Sequence, residues 1–252
     1  MALLAKLAAK KQISKYCIDS KYRVTIFTSL CQWRLEVLSA KPSLRSKKKA
    51  KTRQLLVDTA ARLFHKRGFD AVTVAEIARV AEVSEQTVYN YFPTKEALVL
   101  DEEEAYAAHF VAMVTDRPAG TSVIQAVRRE ALGFLKAMID RPASPHRRGG
   151  MPFLVVNNIP VRRAWLSCCE RHAAAVAEAL VSHSGDKLSS SAALIIATSA
   201  LSVFRVIIDE VGAALSEDDD LTARMNRLRP QIEEGLDWLA GGLARPNRKP
   251  PP

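Results

Sequence analysis

The stretch from Thr73 to Lys95, Thr-Val-Ala-Glu-Ile-Ala-Arg-Val-Ala-Glu-Val-Ser-Glu-Gln-Thr-Val-Tyr-Asn-Tyr-Phe-Pro-Thr-Lys, leaves room for little but two short helices around a tight turn. Thr73 followed by Glu76 is a capping box, in which hydroxyl and carboxylate satisfy orphan amides reciprocally. Val74, Ile77 and Ala78 then share one face at helical spacing. Ala81, Glu82 and Val83 form the turn. Ser84 is a good N-cap for a second helix, which runs to Phe92 and stops before Pro93. Val83, Val88 and Phe92 point inward, leaving Glu85, Gln86, Thr87, Tyr89, Asn90 and Tyr91 outside. Either that face reads something, or the unit is a small surface hairpin of helices anchored by its two tyrosines.

The flanks favour a reading face. Leu56, Ala60, Leu63 and Phe64 form one stripe over residues 50 to 67, and Gly68 follows as a C-terminal cap. Phe69 and Val72 staple that helix to the next two. Thr94 is expected to N-cap a fourth helix continuing through Leu98, Leu100 and beyond, with Lys95 at its mouth where a phosphate could be gripped. In a helix-turn-helix, the N-terminal residues of the second helix enter the major groove of DNA.

Leu63-Phe64, Arg67-Gly68-Phe69, Thr73 to Ala78 and Val83 to Glu96 together resemble the DNA-binding domain of TetR-family transcriptional regulators, over roughly 50 residues. The resemblance implies an all-α homodimer: an N-terminal three-helix helix-turn-helix DNA-binding domain followed by a helical ligand-binding and dimerisation domain. It implies that Thr73 and Lys95 touch phosphates and that Tyr89 and Tyr91 touch backbone or thymine. Glu85, Gln86, Thr87 and Asn90 become candidates for base edges, with Ser84 beside them. Glu82 departs from the family, which commonly has glycine there; a left-handed backbone at this turn would cost about 1 kcal/mol. Glu85 departs as well, being acidic. Its one suitable base-edge role is to accept from a cytosine amino group, whereas Gln86 suits the N6 and N7 of adenine.

The chain has 252 residues and a formal net charge of +10, distributed unevenly. Residues 1 to 51 hold 13 Lys or Arg against Asp19 and Glu36, and the remainder is close to neutral. Residues 1–46 are therefore expected to be a basic, disordered extension: a functional arm, a solvated tail or a product of the assigned start. Its short apolar runs, interrupted by lysine, make neither a secretory core nor a membrane span, although the acid-poor composition has a faint likeness to a transit peptide. The run 45 to 53, with Lys49, Lys51 and Arg53 as candidate DNA contacts, could follow phosphates or a minor groove. The DNA-binding domain is placed at 47–96.

Residues 97–244 are expected to form a helical effector-binding and dimerisation domain, and 245–252 a disordered tail. Helices are expected from Thr121 or Ser122 to Ile139, over 151 to 158, from Val161 to Ser182, from Ser189 to Leu215 and from Asp218 to Leu243. The segment 189 to 215 is apolar nearly all round and must be buried on several sides. The last two long helices are the expected homodimer seam, with an ordinary domain core as the alternative. Candidate effector-lining residues are Phe110, Met113, Phe134, Met138, Phe153, Trp165, Cys169, His172 and Phe204, with Asn157 or Arg205 as polar handles. The alternative is that these are plain core. Asp209 is the simplest partner for Arg205.

Cys17, Cys31, Cys168 and Cys169 lack paired ligand spacing, which suggests a reducing cytosol. Cys168 and His172 are four apart on one helix but do not by themselves make a metal or redox site. No phosphate-cradling glycine loop, nucleophile elbow or zinc-protease helix is present. These residues favour no enzyme, no metal and no cofactor. With them, the TetR-family resemblance implies a cytoplasmic, sequence-specific regulator of transcription, a repressor released from a double-stranded DNA operator by a small-molecule effector, with no membrane partner. The competing expectation is a nonspecific DNA-binding protein driven by the basic N-terminal segment.

Overall fold

In the computed structural model, the described residues are 44–140, 146–184 and 188–241; the extension up to residue 43 and the tail from 242 lie outside them. Every regular element among them is helical. The first three are α1 (Leu44–Arg67), α2 (Val74–Val80) and α3 (Glu85–Tyr91), followed by a single 3-10 turn, Glu96–Leu98. Helix α1 turns Leu56, Val57, Ala60 and Phe64 inward and ends at Gly68. The Gly68 N–H donates to the Phe64 carbonyl at 2.9 Å with φ +81°, a left-handed cap that glycine adopts without strain. Phe69, Val72, Ile77, Val88, Phe92 and Leu98 close a core small enough that each residue matters.

Two expectations about this region change. Helix α1 spans Leu44–Arg67, so the basic run 45 to 53, expected to lead into a helix over 50 to 67, lies within the helix. Nothing after Pro42 breaks it, since Lys, Arg and Ala are all good helix formers. The helix expected to follow Thr94 without interruption is split into the 3-10 turn and α4 (Glu103–Thr115). Thr94 does cap, accepting from Ala97 N at 3.2 Å. The Asp101 carbonyl then turns aside to accept from Arg53 at 2.9 Å, and the acidic residues Glu103 and Glu104 sit in the first turn of a fresh helix, where its dipole favours them.

The body continues with α5 (Val123–Asp140), a 3-10 turn (Arg147–Gly149), α6 (Met151–Asn157), α7 (Ile159–Ser184), α8 (Ser190–Glu217) and α9 (Leu221–Gly241). Ser189 caps α8 through Ala192 N, and Asp220 caps α9 through Thr222 N and Ala223 N. Helix α8 is the hub, packing against α5, α6, α7 and α9. By length and composition it could cross a membrane, yet Ala197, Leu201, Phe204, Ile207, Ile208 and Val211 are core residues here.

Two glycines permit backbone contact between layers. A Cβ on Gly212 of α8 would lie 2.2 Å from the Pro152 carbonyl oxygen of α6. One on Gly149 would lie 1.9 Å from the Ala61 carbonyl oxygen of α1. The segment from 147 to 157 is therefore pressed against the body on one side and against α1 on the other.

Candidate nucleic-acid interface

The α2–turn–α3 unit is held by local bonds that the residue types dictate. Thr73 Oγ1 accepts from Glu76 N at 3.2 Å, while the Glu76 carboxylate pairs with Arg67 rather than closing the capping box. Ala81 ends α2, and Glu82 takes φ +56°, so the side chain in place of glycine is carried in a left-handed backbone. The strain is offset by a hydrogen bond from Val83 N to the Ala78 carbonyl at 3.0 Å. Ser84 Oγ accepts from Thr87 N at 3.1 Å and starts α3. Val88 and Phe92 are buried beneath.

This leaves Glu85, Gln86, Tyr89 and Asn90 exposed along one side of α3. Gln86 Nε2 donates to Asn90 Oδ1 at 3.1 Å, joining two carboxamides one turn apart. Thr87 is partly withdrawn, its hydroxyl 2.8 Å from that of Ser84. Tyr91 is half-buried, packed against the core, with Lys49 Nζ 6.0 Å from its ring centre. Arg45, Lys47, Lys48, Lys49 and Lys51 project from the first turns of α1.

Two candidate phosphate contacts have other occupations. Arg53 lies with its guanidinium carbon 4.4 Å from the Phe92 ring centre and donates to the carbonyls of Tyr91, at 3.2 Å, and Asp101. It clamps α1 to the end of α3 and to the segment between the 3-10 turn and α4. Lys95 donates to the carbonyls of Phe69, at 2.9 Å, and Val72, at 3.0 Å, and lies 4.2 Å from the Phe69 ring centre. Two of its three N–H donors are thus spent on the α1–α2 link, and one is left for an outside acceptor.

Residues 56–101 match the family model described as bacterial regulatory proteins, tetR family. That stretch is a TetR-family N-terminal domain. The chain is 34% identical over 100 residues to the HTH-type transcriptional regulator TcmR of Streptomyces glaucescens, covering 40% of this chain and 42% of that protein. It is 47% identical over 49 residues to the HTH-type transcriptional regulator LuxR of Vibrio harveyi, covering 19% and 24% respectively. These matches span less than half the length of either relative. A solved structure of a TetR-family transcriptional regulator from Mesorhizobium loti aligns with 75% of this chain and 97% of its own, at 19% identity and a TM-score of 0.46.

The candidate effector residues of the helical body divide. Phe110 meets Phe204 at 4.8 Å and His172 at 5.5 Å between ring centres, and Phe134 meets Phe204 at 6.1 Å. Met113, Met138 and Trp165 are buried in the same core, and Trp165 Nε1 has no hydrogen-bond partner. Phe153 and Cys169 pack at its edge. Arg205 is exposed, not an interior handle, because Asp209 is taken by Arg162 of α7 in a two-pronged ion pair. Asn157 is also elsewhere, donating to the Phe153 carbonyl and to Ser216. His172 bonds the Glu103 carbonyl at 3.2 Å, and burial lowers its pKa. Burial pushes the thiols of Cys168 and Cys169 up to about 12 and about 11, so both are neutral thiols rather than metal-ready thiolates.

One polar link was not apparent from sequence. Asn158, buried at the start of α7, accepts from Val161 N at 3.1 Å and donates to the Asp70 carboxylate at 3.1 Å, just after α1. The sequence pattern places residue 158 at the end of a short helix, and its partner lies 88 residues away.

Proposed function

We propose that this chain is a cytoplasmic, sequence-specific DNA-binding regulator of transcription, acting as a homodimeric repressor that a small-molecule effector releases from its operator. The observation that carries this is the capped α3, which offers Glu85, Gln86, Tyr89 and Asn90 to solvent on a rigid base inside a TetR-family domain. Ser84, Thr87 and Tyr91 support that face, and Thr73, Lys95, Lys49 and Lys51 flank it as phosphate contacts. The homodimer is supported by Leu194, Ile195 and Val206, apolar residues exposed along α8, and by Trp238 and Leu239 at the end of α9. Most of the α9 stripe, Met225, Leu228, Ile232 and Leu236, is used inside the chain, so the proposed seam is mainly that of α8. The aromatic cluster around Phe110 supports an apolar effector site, and the 147 to 157 segment, wedged between α8 and α1, is a route by which occupancy could bias the DNA-binding domain.

The exposed lysines of α1 favour a second reading, nonspecific DNA binding. Fluorescence titration of selected against random duplexes at several salt concentrations separates the two. Specific recognition requires a ratio of about a thousandfold or more, whereas a nonspecific binder gives a ratio near one with a steep salt slope.

A further inference from the structure

The Gln86–Asn90 pair has a consequence for what α3 reads, given the DNA-binding role proposed above. A carboxamide has two N–H donors and an oxygen with two lone pairs. Gln86 commits one N–H to Asn90 Oδ1 and keeps its oxygen and its other N–H. Those are the groups an adenine edge requires, one accepting from N6 and the other donating to N7. Asn90, with its oxygen turned back to Gln86, keeps both of its N–H groups uncommitted among the described residues. Adenine at that second position would set its own amino group against another donor. Guanine offers two acceptors, O6 and N7, and thymine offers one.

We propose that Gln86 and Asn90 act as one specificity unit, reading adenine through Gln86 and a neighbouring guanine through Asn90. Asn90 is then a positioning residue for Gln86 as well as a reader. Local geometry supports the pairing: the two are one helical turn apart on an exposed face, and Thr87, which could otherwise compete for Gln86, has its hydroxyl engaged by Ser84. Both residues are exposed, so neither is needed for folding.

Selection of binding sites from randomised duplex DNA with the full chain tests this. The wild-type half-site should contain an adenine next to a guanine, each preferred about tenfold or more over the other bases. Asn90→Asp keeps an oxygen to orient Gln86 but removes the donors, so adenine should persist while guanine gives way to cytosine. Asn90→Ala removes the brace too and should relax both positions. A half-site without the adenine–guanine step, or an Asn90→Asp variant that still selects guanine, overturns the inference while leaving the regulator reading intact. Failure of the wild-type chain to enrich any sequence overturns both.

Discussion

The reading head and the helical body are held together by different means. In the head, short helices are fixed by side-chain caps at Thr73, Ser84 and Thr94 and by two long basic side chains, Arg53 and Lys95, that turn inward to backbone carbonyls. In the body, helices of up to 28 residues are fixed by packing, with ionisable groups such as Glu130 and His172 taken into the interior. Capping sets orientation at each helix end, which suits a surface proposed to read DNA through a few amides. Packing over long helices allows small shifts of one against another, which suits a body proposed to change state when a ligand binds. The segment 147 to 157 joins the two regimes.

The largest expected effect comes from that junction. Gly149→Ala drives a Cβ into the backbone of α1 at Ala61, where no side chain can swing aside. The loss should reach or exceed the upper end of the roughly 1 to 3 kcal/mol typical of overpacking. Thermal unfolding followed by circular dichroism should show the head melting apart from the body, as two transitions. A single transition at the wild-type temperature would mean that the turn withdraws freely and that the head does not depend on this contact.

A smaller effect is expected at Asn158. Asn158→Ala removes the cap on α7 and the bond to Asp70, each worth about 1 kcal/mol. Asp70→Ala removes only the second. A double-mutant cycle on unfolding free energy should return a coupling of about 0.5 to 1.5 kcal/mol. Zero coupling would leave Gly149 and its neighbours as the main tie between the regions.

How much of this was legible in the sequence follows the same division. Gly68, Thr73, Ser84, Ser189 and the α3 face could be read because each acts on amides within four residues of itself. Arg53, Lys95 and Asn158 could not, because their partners lie 23 to 88 residues away and sequence spacing does not say which distant carbonyl or carboxylate will be orphaned. Arg205 and Asp209 show the limit from the other side. Helical spacing made them partners, yet the guanidinium of Arg162 reaches across from α7 and takes the carboxylate with two bonds, the better geometry for an arginine. At Gly149 and Gly212, only the crossing of backbones shows why a side chain is excluded.

The smallest expected effect concerns acid, and it belongs to the body. His172 is buried between α4 and α7, bonded to the Glu103 carbonyl with Arg171 nearby, and burial is the main cause of its lowered pKa. A lowered folded pKa means that the unfolded chain takes up the proton first, near the ordinary value of 6.5. The unfolded state then binds more protons than the folded one, so stability rises with pH across that interval. Its contribution is complete above about 6.5, declines as pH falls below it, and levels off once the folded histidine is protonated as well. His172→Gln retains an N–H for the Glu103 carbonyl but does not titrate. Urea unfolding at pH 7.5 and 5.5 should therefore show the wild-type chain losing more stability than the variant on acidification. Equal losses would mean that the body accommodates the charged imidazole without penalty, and the contrast between a capped head and a body sensitive to buried charge would fail at this residue.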